Sequence, residues 1–171
     1  KTHFLGQPAS MVFFDKRNGA WWVSLAHRHW GQKMHCSENE GKTWIEVATP
    51  QYPEGSELSP GVPATLKYIW SITGGGMKHP ERIWVGTEPG GLFLSKDNGG
   101  SFTMIETLWE HRTRPEFWFG GGRDNAGIHS IVVDPRDDDH VYIGVSCAGV
   151  FETMDAGKIW EMRNDGLRAD Y

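Results

Sequence analysis

One octapeptide occurs three times in this chain at a single spacing. It reads SENEGKTW over residues 37–44, SKDNGGSF over 95–102 and TMDAGKIW over 153–160, each copy 58 residues after the one before. All three fit Ser/Thr-x-Asp/Asn-x-Gly-x-x-Trp/Phe. A fixed period of this kind marks a repeated supersecondary unit, and stacked copies bury the face that one copy cannot bury alone. The register extends upstream without gaps. Leu25, Ile83 and Val141 correspond, as do Met34, Leu92 and Val150.

Each copy reads as a self-wired hairpin turn. Asp97 and Asp155, and Asn39 through its amide oxygen, are placed to accept hydrogen bonds from backbone N–H groups just ahead of them. Gly41, Gly99 and Gly157 suit the left-handed backbone that such a turn needs. The hydroxyls of Ser37, Ser95 and Thr153 tie the incoming strand to the turn. Trp44, Phe102 and Trp160 open the outgoing strand as large apolar anchors. None of this needs a substrate, so these residues are expected to be structural.

The pattern resembles the Asp-box, or bacterial neuraminidase repeat, found in sialidases, xyloglucan-active glucanases and sortilin-type receptors. That resemblance implies a β-propeller and leaves the chemistry open, because these families share the turn and not the reaction. HRHWG (27–31), GTEPGGLF (86–93) and the Gly-rich loop before GIHSI also resemble bacterial Asp-box proteins that carry glycosyl hydrolase or exo-sialidase labels.

Patterning agrees with an all-β chain. Short Val/Ile/Trp/Tyr/Phe runs are punctuated by Gly, Pro, Asn and Asp, and helical periodicity is nearly absent. Nine Trp and 22 Gly stand out in 171 residues. Each repeat reads as four antiparallel strands, giving a β-propeller fragment of three four-stranded blades at about 8–50, 64–106 and 127–165. The Asp-box joins the third strand to the fourth in each. Connecting loops span 50–63, which shows no periodicity, and 106–127. Closed propellers need ~4–8 blades, so the partners expected first are the remaining blades of a longer protein.

Composition narrows the function classes. The net charge is −5 with mixed signs along the chain, which argues against a nucleic-acid surface. The acidic run Asp137-Asp138-Asp139 reads as a solvated turn. No apolar run approaches the ~20 residues of a membrane span, so no membrane partner is expected, and the compartment stays open. Cys36 and Cys147 fall at unlike positions of different repeats and read as free thiols. No cofactor or resident metal is expected.

Strand topology then indicates where chemistry belongs. In an antiparallel unit successive turns alternate between two ends. The repeat turns share one end with the hairpins joining first and second strands. The turns between second and third strands, and the connections between repeats, lie at the other. That second end collects His27, Arg28, His29, Trp30, Trp109, His111, Arg114, Arg123 and His129 as candidate ligand-binding residues, with a glycan or other small molecule as the ligand. Glu88 and Asp124 are the candidate acid/base pair, as a glycosidase would require. On a strand His27 and His29 point the same way, a geometry for orienting a substrate, for ligating a metal with a third partner, or for structural bonding. Arg112, Arg114 and Arg123 suit a bidentate anion clamp, although the Phe/Tyr-Arg-Ile-Pro motif of sialidases is absent. Trp109 and Trp118 suit either sugar stacking or packing. Three functional readings stay open: a sialidase-like or glycosyl-hydrolase-like enzyme acting opposite the Asp-boxes, a non-catalytic binding or scaffold propeller, and a metal-dependent enzyme using the His cluster. Convergence of Glu88, His29 and His129 in one pocket is the discriminator.

Overall fold

The computed structural model describes residues 2–27 and 29–168; Arg28 lies outside the described residues. The chain is all-β in its sheets, all of them antiparallel. The first sheet runs β1 (Ala9–Asp15), β2 (Ala20–His27), β3 (Gly31–Ser37) and β4 (Ile45–Val47), each strand beside the next. A two-stranded hairpin follows, β5 (Glu57–Ser59) with β6 (Val62–Pro63). The second sheet is β7 (Tyr68–Gly74), β8 (Ile83–Glu88), β9 (Leu92–Ser95) and β10 (Thr103–Met104). Two single-turn helices, α1 (Glu106–Trp109) and α2 (Arg114–Phe117), lead to the third sheet: β11 (Ile128–Asp134), β12 (Asp137–Val145), β13 (Gly149–Thr153) and β14 (Glu161–Met162).

Period-2 alternation explains the packing. On β8, Ile83 and Val85 face the first sheet, in a core with Trp22, Met34, Cys36, Ile72 and Phe93. Trp84 faces the other way, into a core with Leu92, Leu94, Val141, Ile143, Val145, Phe151 and Trp160. All six residues of β8 are buried, so the second sheet is covered on both faces. The leading strands β1, β7 and β11 lie side by side, with β7 in the middle.

The three repeat turns are wired alike. The N–H groups of Gly41, Gly99 and Gly157 donate to the hydroxyls of Ser37, Ser95 and Thr153 at 2.9, 2.8 and 2.9 Å. Oδ1 of Asn39, Asp97 and Asp155 accepts from the N–H of Thr43, Ser101 and Ile159 at 2.9, 2.8 and 3.0 Å. The residue before each glycine, Glu40, Asn98 or Ala156, is left-handed too, at φ 59°, 55° and 58°. These turns share an end with the strand-one-to-strand-two hairpins: the N–H of Asn98 donates to Glu81 and that of Ala156 to Asp139.

Two details differ from the sequence reading. The Asp137-Asp138-Asp139 run is not a solvated turn but the start of β12. Asp138 is 3% exposed and accepts from the N–H groups of Lys78 and His79 at 2.6 and 2.9 Å, while Asp139 pairs with Arg82 at 2.6 Å. These bonds latch the third sheet to the second. Arg17 makes the matching latch from the first sheet, anchored on Asp15 and donating to the carbonyls of Gly76, His79 and Arg82. The second detail is the β5–β6 hairpin, inside a connection that showed no periodicity. Both cysteines are free thiols. Burial pushes the Cys36 thiol up to about 11.

Candidate functional site

Opposite the repeat turns, the β8–β9 turn meets the loop that precedes β11. Glu88 ends β8 and pairs in register with Tyr68 at the start of β7. Its side chain is 3% exposed, and Arg123 Nε donates to its Oε2 in a charge-assisted bond. Among the described residues Arg123 is the side chain bonded to this carboxylate. The guanidinium lies 4.7 Å from the Tyr68 ring centre and 5.2 Å from that of Trp70. Those rings stand at 85° to each other, forming a corner. Tyr68 is fixed by donation from its hydroxyl to the Ser10 carbonyl. Trp70 packs against Gly127, where a Cβ would fall 2.4 Å from the indole, and makes a T-shaped contact with His129.

Beside this corner is a cavity of about 210 Å³ lined by Pro89, Gly90, Arg114, Trp118, Phe119 and Asp124 among others. Its floor is rigid. Tyr52 donates from its hydroxyl to the Pro89 carbonyl at 2.6 Å and lies 2.8 Å from Thr87 Oγ1. Burial pushes the Tyr52 hydroxyl well above its ordinary value, which keeps it a donor. Arg114 stacks on Trp109, 3.5 Å from the ring centre, and donates to the Glu57 carbonyl, so the β5–β6 hairpin becomes a wall of the site. Burial lowers the Arg114 guanidinium from its ordinary value.

The structure brings some candidates together and separates others. Glu88, Arg123 and His129 are linked through Tyr68 and Trp70, and Asp124 lines the adjoining cavity without bonding to Glu88. His27, His29 and Trp30 form a local group of their own. β2 ends at His27, so His29 sits in the turn and strand alternation does not govern it. His27 Nδ1 accepts from the N–H groups of His29 and Trp30 at 3.2 and 3.1 Å. Glu88, His29 and His129 therefore do not share the Asp124 cavity. Trp109 is 7% exposed, its face taken by Arg114, with the Tyr52 ring tilted against it. His111 packs edge-on to Phe151, with burial lowering its ring below the ordinary value and Arg112 adding to that effect. Trp118 packs on Phe151 and over Gly90. Arg114 and Arg123 have different partners and do not form one clamp. Among the described residues, no group of three or more His, Cys, Asp or Glu is arranged to hold a metal ion. Among the described residues no helix is long and apolar enough to cross a membrane.

Tyr68, Trp70 and Tyr52 were not among the candidates. A signal for the first two exists: they are i, i+2 on a leading strand, and so project from one face.

No protein-family model matches the chain. It is 28% identical over 82 residues to an oligoxyloglucan-reducing end-specific xyloglucanase of Emericella nidulans, a match over 47% of this chain and 9% of that protein. It is 28% identical over 83 residues to a probable enzyme of the same name from Neosartorya fischeri, over 48% of this chain and 9% of that one. The chain thus spans about a tenth of the length of these relatives. Among solved structures, the GH74 enzyme of Niastella koreensis superposes with a TM-score of 0.63 at 17% identity, over 90% of this chain and 22% of that one. YCF48 from Cyanidioschyzon merolae superposes with a TM-score of 0.55 at 12% identity, over 94% of this chain and 38% of that one. Both neighbours are β-propellers, and with three meandering sheets set side by side this likeness identifies the chain's fold as that of a β-propeller.

Proposed function

We propose that this chain belongs to a carbohydrate-active propeller that binds or hydrolyses glycans at the end opposite its repeat turns. The observation that carries the reading is Glu88: a buried carboxylate at the β8–β9 turn whose partner Arg123 lies against two aromatic rings, beside a cavity holding a second carboxylate, Asp124. Aromatic faces with a few placed polar groups are what a sugar ring requires. The names of the two fungal relatives favour a glycan as ligand. We read the three turns as Asp-boxes, which is the basis of the sialidase-like and glycosyl-hydrolase-like kinship, and the three four-stranded sheets as blades. The outward face of the first sheet exposes Phe14 and Trp21, and that of the third Val132. Such apolar faces suit further blades of the same protein.

None of Glu88, His29 and His129 lines the Asp124 cavity, so the convergence that would favour an enzyme is not met there, and the enzymatic form of this reading rests on Glu88 and Asp124 alone as the acid/base pair. A second, non-catalytic form is favoured by the Arg123 bond, since the guanidinium occupies the carboxylate oxygen that a substrate would have to reach. Both forms are tested by offering the protein, with Glu88→Gln and Asp124→Asn, a panel of neutral, sialylated and amino-bearing oligosaccharides. The enzymatic form expects hydrolysis that falls about 100-fold or more in Glu88→Gln. Saturable binding without turnover selects the binding form. Neither binding nor turnover on any glycan overturns the carbohydrate reading.

A further inference from the structure

The Glu88 corner has a chemistry of its own. A buried carboxylate without a counter-charge is costly, so Glu88 needs a cationic partner. Here the partner is Arg123, which comes from a surface loop after Gly120-Gly121-Gly122 and is 42% exposed. The loop turn is closed by one backbone bond, from the N–H of Arg123 to the Gly120 carbonyl. The other three sides of the corner are on the sheet. Glu88 closes β8, Tyr68 and Trp70 sit on β7, and the two rings are nearly perpendicular. Two aromatic faces at a right angle over an anionic floor form a receptor for an organic cation: the ring quadrupoles and the carboxylate attract the same charge. Arg123 occupies it as a ligand would, and it leaves room to withdraw because nearly half of its side chain already meets solvent.

We infer that Tyr68, Trp70 and Glu88 form a cation-binding corner which Arg123 fills in the unliganded protein, and that the cognate ligand is a glycan bearing a free amine, whose ammonium displaces Arg123. This rests on the carbohydrate reading above for the glycan, and on the corner alone for the cation. It reverses the role the sequence suggested for Arg123. The arginine is not an anion clamp but an internal occupant, and the chain's net charge of −5 suits a cationic ligand.

The test is calorimetric titration with a glucosamine tetramer, its fully N-acetylated counterpart and methylguanidinium, against wild type, Arg123→Ala and Glu88→Gln. Removing the occupant should tighten binding of the amine tetramer about tenfold, because the ligand no longer competes with an internal cation. Glu88→Gln should weaken it by at least as much, and the acetylated tetramer should gain nothing from R123A. Circular dichroism establishes that the variants fold; if R123A does not, Arg123→Gln, which keeps the side-chain volume, takes its place with the same expectation. Equal binding of amine and acetylated tetramers overturns the cation site and leaves the carbohydrate reading standing. Binding of methylguanidinium but of neither tetramer upholds the corner and overturns its glycan occupant. No binding of any probe to the folded variant overturns the inference.

Discussion

At the scale of single residues, the densest charge network is on the outward face of the third sheet. Glu152 on β13 accepts from Arg163 Nε and lies 2.7 Å from His140 Nε2, whose Nδ1 is 3.3 Å from Asp134. Hydrogen bonding from Tyr142, then from His140 and Arg163, holds the Glu152 carboxyl at about 2 against an ordinary 4.5. A carboxyl depressed in the folded state contributes stability that is fully present above its ordinary value and lost as pH falls through its folded one. Stability should therefore decline between about pH 4.5 and pH 2 through this group. Glu152→Gln should flatten that limb of a melting-temperature profile; an unchanged acid slope would show that other carboxyls set it. This network was not legible in the sequence, because His140 on β12, Glu152 on β13 and Arg163 just past β14 meet only through register. The same holds for the candidate site. Glu88 stood out by its turn, but its partner Arg123 is 35 residues away, and the bond between them depends on how the Gly-rich loop folds back.

At the scale of elements, the repeat turns were legible because their wiring is local. The side-chain bonds from Ser/Thr and Asp/Asn that wire each turn span four residues or fewer, so residue type and spacing suffice. Their surroundings were not, and this separates glycines that look equivalent. Gly99 has φ +81°, and a Cβ there would sit 2.8 Å from the buried Trp22 ring. Gly41 has φ +75°, but its Cβ would meet Trp44 at an ordinary 3.6 Å. Gly41→Ala should cost about 1–2 kcal/mol for the left-handed backbone alone. Gly99→Ala adds a clash in a packed core and should cost about 1–3 kcal/mol more. Urea denaturation of the two variants gives the difference directly; equal costs would mean that Trp22 yields without penalty. The β5–β6 hairpin shows the opposite limit. Strands of three and two residues carry no period to read, although Pro60-Gly61 between them is a turn dipeptide.

At the scale of the whole molecule, three sheets in a row make the middle one the determinant of cooperativity. Its two faces carry separate cores: Phe93 belongs to the core shared with the first sheet, and Trp84 to the core shared with the third. Both side chains are fully buried at 0% exposure. Phe93→Ala and Trp84→Ala should each cost about 3–5 kcal/mol, the range for deleting a large buried aromatic. The polar latches at Arg17 and Asp138 tie the same sheets at the repeat-turn end, so neither interface rests on apolar contact alone. Loss of either core should therefore lower the midpoint of one shared transition and not release a sheet by itself. Tryptophan reporters decide this, since Trp22 lies in the first core and Trp160 in the second. With all nine tryptophans in place and 5-fluorotryptophan incorporated, the 19F resonances of Trp22 and Trp160 should report the same urea midpoint in Phe93→Ala, where the lesion touches only the first core. A Trp160 midpoint left at its original value while that of Trp22 falls would show that the sheets unfold independently, as repeat units coupled too weakly to act as one domain.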